Sequence, residues 1–228
     1  MSLDNFNSYK ELRKELFELL GVMKYIDSDT TVKQKLEATI SRGNIIILGT
    51  LLESYVENIV LEYCDEITKL INTKQVHIKS ISNNMQEFIS KSIVHKHHKK
   101  DFETMHYGES FKFVNKFVNS LSNDGFLIDD ELDGINKFSF GKHGETELKK
   151  VFKRLGINIE RSIENFDDLN NFFELRNGLI HSDSLSLTQQ PTQSLTKTRE
   201  YILKLYGFGK IIDSVLIKEL ETLTVENI

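Results

Sequence analysis

The chain has 228 residues, 39% of them hydrophobic and 28% charged, enough for one large domain with a real core. Its 29 Lys and Arg face 34 Asp and Glu, and the net charge of −5 excludes a globally basic nucleic-acid coat. One cysteine, Cys64, excludes an intrachain disulfide and a Cys-rich zinc site, so a reducing, cytoplasmic setting is expected.

With one proline and 12 glycines, the chain lacks the punctuation of a β-sandwich or barrel and reads as all-α. Leu12, Leu16, Leu19, Leu20 and Met23 recur at helical spacing and predict an amphipathic helix from Asn7 to Tyr25. Asp27-Ser28-Asp29-Thr30 reads as a turn and N-cap. A long helix is predicted from Val32 to Ile71, bent near Gly43 or Gly49, with its strongly apolar second half as the central core element. No apolar run is long enough to predict a membrane span. The start, Met1-Ser2-Leu3-Asp4-Asn5, has neither a basic nor an apolar leader pattern.

Residues 73–144 have shorter apolar patterns, at Met85 to Val94 and Phe111 to Leu121, and turn clusters at Ser122 to Gly125 and Gly141 to Gly144. This stretch also holds six of the seven histidines. It reads as a helical insertion within a single domain spanning residues 1–228. Glu145 to Leu155 predicts a short helix with Gly156 as its C-cap. Ser162 to His181 follows, with Phe166, Leu169, Phe172, Phe173, Leu175, Leu179 and Ile180 as its apolar arc. A polar loop over Ser182 to Thr196 leads to a closing helix, Thr198 to Leu223.

Two charges break this pattern. Projected at 100° per residue, Arg176 falls inside the apolar arc of its helix, between Phe172 and Leu169. Glu53 falls inside the arc of the central helix, between Val60 and Ile46. An unpaired buried charge is severely penalised, so an ion pair between Glu53 and Arg176 is expected to join the two helices. Gly178 costs roughly 1 kcal/mol of helix propensity relative to alanine, which suggests a close approach to the backbone there.

Arg176-Asn177-Gly178-Leu179-Ile180-His181 has the form R-N-x3-H near a helix end. It lies downstream of an apolar helix with an embedded acid, Leu51-Leu52-Glu53-Ser54-Tyr55-Val56. These features resemble the HEPN superfamily (higher eukaryotes and prokaryotes nucleotide-binding), specifically its ribonuclease-type members from toxin–antitoxin and abortive-infection systems. The resemblance covers Val32 to Ile71 and Glu145 to Leu223. It implies an up-and-down helical bundle and metal-independent RNA cleavage, in which a 2′-hydroxyl attacks the adjacent phosphate.

On that reading His181 is the general acid/base, since an imidazole titrates near neutrality. Arg176 stabilises charge on the phosphate, and Asn177 positions it or the imidazole. Arg176 and His181 are five apart, about 140° on an ideal helix. The resemblance answers this with a two-fold homodimer whose paired motifs form a composite site. It also implies an antitoxin protein as a partner, no cofactor and no metal. Some HEPN proteins carry a modified tyrosine two residues after the histidine; this chain has Asp183 there.

The segment Lys91 to Lys100 carries Lys91, Lys96, His98, Lys99 and Lys100 with no acid, the best patch for an RNA backbone. The other reading is a solvated basic stretch. His95, His97 and His98 lack an Asp, Glu or Cys at ligand spacing, so no metal site is expected. For His181 the structural alternative is a helix C-terminal histidine against the dipole. For the whole chain the alternative is a catalytically inactive HEPN-fold module that binds RNA, nucleotide or a protein partner. No phosphate-loop motif is present, which disfavours an NTPase or dinucleotide enzyme.

Overall fold

The computed structural model describes residues 5–27, 33–89, 135, 138, 144–163, 166–180 and 194–225. Helices α1 (Asn7–Asp27), α2 (Lys33–Asn72), α3 (Gly144–Leu155), α4 (Asp167–Ile180) and α5 (Leu195–Val225) form the frame. Two short 3-10 turns, Ile78–Ser80 and Ile159–Arg161, and a helical stretch over 83–89 join them. There is no strand among the described residues, and the fold is all-α.

The predicted helices appear at nearly the expected bounds, with two shifts. The fourth starts at Asp167 instead of Ser162, because residues 159–161 close a separate turn in which Ser162 N–H donates to Ile159 O at 3.0 Å. Asp167 and Asp168 then lie in the first turn, where carboxylates favour the positive end of the helix dipole. The fifth starts three residues early, at Leu195, because Ser194 serves as its cap and its Oγ accepts from Lys197 N–H at 3.2 Å. The turn at 28–30, the patterns beyond residue 89, the Gly141 to Gly144 cluster up to residue 143 and most of the 182–196 loop lie outside the described residues.

The core sits where α1, α2, α4 and α5 meet. Leu16, Met23, Ile45, Leu48, Leu52, Val56, Ile59, Phe172, Phe173, Ile212 and Leu216 are almost wholly buried. Burying each large aliphatic side chain contributes about 1.5–3 kcal/mol. α1 runs against both α2 and α5: Ser8 lies beside Glu62, and Phe6 beside Asp213. The Tyr55 hydroxyl ties α2 to α5, donating to Gly209 O at 2.8 Å from a buried position. Gly209 itself has no room for a methyl, which would lie 2.7 Å from Leu12 Cδ2. α3 packs on α4, where Phe173 occupies the space a side chain at Gly144 would need.

The segment Thr39–Asn72 of α2 is long and apolar enough to cross a membrane, with a mean hydropathy of 1.4 over its best window. A search for uninterrupted apolar runs misses this, because Glu53 and Glu57 divide the stretch. Half of that window is buried within the bundle, the environment of a core helix. Cys64 lies in the same helix and is buried, as its apolar neighbourhood predicts.

Helix ends are closed by two Schellman motifs. At the end of α3, Gly156 has φ +78°, its N–H donates to Lys153 O, and Ile157 N–H donates to Phe152 O. This is the C-cap that the sequence predicts. At the end of α2 the same left-handed position is held by Lys74, at φ 58°, with Gln75 N–H donating to Leu70 O. A left-handed non-glycine residue costs about 1 kcal/mol. Lys74→Gly is therefore expected to raise stability by about 1 kcal/mol in urea denaturation.

α1 has no acid in its first turn. Its orphan N–H groups are served by acids from two other helices. Glu62 of α2 accepts from Asn7 N–H (2.8 Å), Ser8 N–H (2.9 Å) and the Ser8 hydroxyl. Asp213 of α5 accepts from Phe6 N–H and Asn5 Nδ2, both at 3.0 Å. Burial pushes the Asp213 carboxyl up, outweighing the Phe6 N–H and Lys10, which lower it. An acid raised by folding binds its proton more tightly in the folded state. Its contribution therefore falls as pH rises from the ordinary carboxylate value through the raised one. Asp213→Ala leaves the buried Phe6 N–H without its acceptor and should cost about 1–3 kcal/mol. Asp213→Asn should cost less and flatten stability across that pH window, as read by denaturation at several pH values.

Candidate functional site

The site is built from α4 laid against α2. Leu169, Phe172, Phe173 and Leu179 bury one face of α4. Arg176 and Asn177 are half-buried at its edge, and Gly178 is exposed. The Arg176 side chain crosses α2 at Gly49. A methyl at Gly49 would lie 3.1 Å from both Cγ and Nε of Arg176 and 3.5 Å from Cδ. The missing side chain at Gly49 is thus a seat for the arginine stem. At its far end, Arg176 Nη1 donates to Asn177 Oδ1 at 3.1 Å. Asn177 orients the guanidinium of its neighbour.

Glu53 stands one turn beyond Gly49 on the same face of α2 and is half-buried. Burial pushes its carboxyl above the ordinary glutamate value. The Arg176 charge pulls it down and Glu57 pushes it up, with burial the largest effect. The sequence places Glu53 and Arg176 on facing helices correctly. The expected buried ion pair takes a different form: neither side chain is fully buried, and no hydrogen bond or ion pair joins them directly among the described residues. The guanidinium acts on Glu53 through space while its stem is held by Gly49 and its head by Asn177.

His181 follows Ile180, the last residue of α4, and lies outside the described residues. Lys91, Lys96, His98, Lys99 and Lys100 also lie outside them. Among the described residues, no group of three or more His, Cys, Asp or Glu is arranged to hold a metal ion. Gly178, singled out for close approach, has open space where a side chain would stand. Among the described residues nothing lies within 4 Å of that position.

The model of the RiboL-PSP-HEPN family matches residues 7–218, nearly the whole chain. The chain belongs to this HEPN family. No curated protein and no solved structure matches it at significant similarity. The HEPN match spans α1 through most of α5, including the 73–144 stretch for which the sequence motifs suggested no kinship.

Gly49 is the residue that motif reading passed over in this HEPN domain. Its signal was present: a glycine inside an apolar helix gives up about 1 kcal/mol relative to alanine and requires a packing reason. Gly49→Ala should keep stability within about 1 kcal/mol of the parent, since the helix gains propensity and the arginine stem can shift. The same substitution should move the guanidinium off Glu53. The Glu53 carboxyl should then titrate at higher pH, as it should in Arg176→Ala, followed by carbon-13 NMR of the glutamate side chains. An unchanged Glu53 titration in both variants would separate the two groups electrostatically.

Proposed function

We propose that this HEPN domain is a metal-independent endoribonuclease acting in toxin–antitoxin or phage defence. The carrying observation is the seating of Arg176, its stem over Gly49 and its head on Asn177 beside Glu53, within an R-N-x3-H helix. A guanidinium fixed at both ends is pre-organised to receive phosphate oxygens, which gives a developing charge more stabilisation than a mobile side chain can.

In the proposed reaction the ribose 2′-oxygen bonds to the adjacent phosphorus, and the bond from phosphorus to the 5′-oxygen breaks. The products are a 2′,3′-cyclic phosphate and a 5′-hydroxyl. His181 takes the 2′-hydroxyl proton or supplies one to the leaving oxygen. Arg176 neutralises charge on the phosphate, Asn177 holds Arg176, and Glu53 sets the local field. Two protomers related by a two-fold axis pair their motifs in one cleft, with the open space at Gly178 accommodating the approach. Lys91, Lys96, His98, Lys99 and Lys100 serve the RNA backbone in this reading, an antitoxin protein restrains the enzyme, and the setting is cytoplasmic.

Incubation with total or transfer RNA in EDTA tests the proposal. Wild type is expected to cleave, while His181→Ala and Arg176→Ala should each lose at least about a hundredfold in rate. Lys218→Ala, an exposed change on α5, should cleave normally. Absence of cleavage by folded wild type would favour an inactive HEPN module that binds RNA, nucleotide or protein. A monomer at micromolar concentration would count against the composite site.

A further inference from the structure

The outer face between α1 and α5 takes no part in the arginine seat, which α2 and α4 form. Arg13, Phe17 and Gly21 stand at i, i+4 and i+8 on α1, within about 80° around its axis. Leu203, Tyr206 and Lys210 share a face of α5 within about 60°. Tyr206 joins the two helices: its ring stacks on Tyr9, with centroids 6.3 Å apart, and meets Phe17 edge-on at 5.8 Å. Phe17 is thus held in place, yet it is 56% exposed, and Leu203 is 58% exposed. Among the described residues nothing lies within 4 Å of where side chains at Gly21 and Gly207 would stand, which leaves room on both sides of the ring pair.

The charges of α1 are sorted between its two flanks. Glu11 and Glu15 line the groove toward α2, and Glu18 pairs with Lys14 at 3.9 Å. Arg13 lies on the α5 side: burial and Tyr206 raise the Tyr9 hydroxyl there, and the Arg13 charge pulls it back. Lys210 follows Tyr206 by one turn of α5, and both cations are exposed. Among the described residues no ion pair engages either of them.

We propose that this α1–α5 face anchors single-stranded RNA, with a base stacked on Phe17 and flanking phosphates on Arg13 and Lys210. The inference rests on the reading of this domain as an RNA enzyme and adds a binding surface away from the arginine seat. An exposed aromatic ring with cations one turn from it is the arrangement that holds a single strand, since every base has a face to stack and every linkage a charge. Arg13 is about 6 Å along the axis from Phe17, within reach of the phosphate of the stacked nucleotide. Stacking and charge make the contact indifferent to base identity. The open space at Gly21 and Gly207 suits a strand laid between two helices; a bilayer would instead meet a convex apolar ridge.

Binding of a dye-labelled, 2′-O-methylated, mixed-sequence single strand to the full-length protein tests this, because methylation blocks the attacking hydroxyl and leaves bases and phosphates intact. Phe17→Ala removes an exposed ring, and circular dichroism checks its folding. It should bind about tenfold more weakly, the loss of one stacked base. Arg13→Gln and Lys210→Gln should each shrink the slope of log affinity against log salt by about 0.7, the value for one single-strand phosphate. The chain has no tryptophan, so Phe17→Trp supplies a single reporter. The RNA should quench its emission, and an abasic strand of equal length should not. Affinity and slope equal to wild type in Phe17→Ala, Arg13→Gln and Lys210→Gln, or no RNA binding by wild type, would overturn the proposal. Unchanged RNA affinity in Phe17→Ala, with binding to phosphatidylserine vesicles or to polyglutamate lost, would assign the face to a membrane or an acidic protein and overturn it as well. Phe17-dependent binding by a wild type that cleaves no ordinary RNA would keep this surface and remove the nuclease reading. Cleavage by a protein whose RNA binding ignores Phe17 would do the reverse.

Discussion

One close packing governs this protein: the stem of Arg176 over the bare backbone of Gly49. A cation at the edge of an apolar interface can be held by a buried counter-ion or by a shape that leaves its charged head at the rim. In this chain shape does part of the holding. The aliphatic part of the arginine replaces the missing side chain of the glycine and contributes packing, while Asn177 fixes the head. The charge of that head lowers the titration of Glu53 through space.

The remainder of the bundle serves that contact by fixing α2. α1 is held at its start by carboxylates from α2 and α5, and the Tyr55 hydroxyl joins α2 to α5 from the inside. α3 braces the far side of α4 through Gly144 and Phe173. The α2–α4 interface is thereby backed on both sides. Sites on such rigid elements hold their geometry better than sites on loops.

Much of the architecture was legible in the sequence. The spacing of Leu12, Leu16 and Met23, the apolar run from Ile45 to Val60, and Gly156 as a left-handed cap each predict what is observed, because they depend on helix period and local backbone rules. The site was half legible. Helical projection put Arg176 and Glu53 on facing surfaces, since each contradicted its own apolar arc. It could not yield their separation, which depends on helix crossing and on the volume missing at Gly49. Lys74 was also hidden, because a lysine gives no sign of taking a left-handed turn; tertiary context imposes it. The foreign caps on α1 were invisible for the same reason: Glu62 and Asp213 are 55 and 207 residues away from the amides they serve.

The length of α2 carries one more consequence. A single helix of 40 residues, about 60 Å long, supplies the arginine seat at Gly49, the inner strut at Tyr55 and the α1 cap at Glu62. Each inserted or deleted residue between these points would rotate everything downstream by about 100° and shift it by 1.5 Å. Loops can absorb such changes, whereas this stretch cannot. Natural variation in chain length among proteins built on this plan should therefore avoid residues 49–62 and fall between the helices.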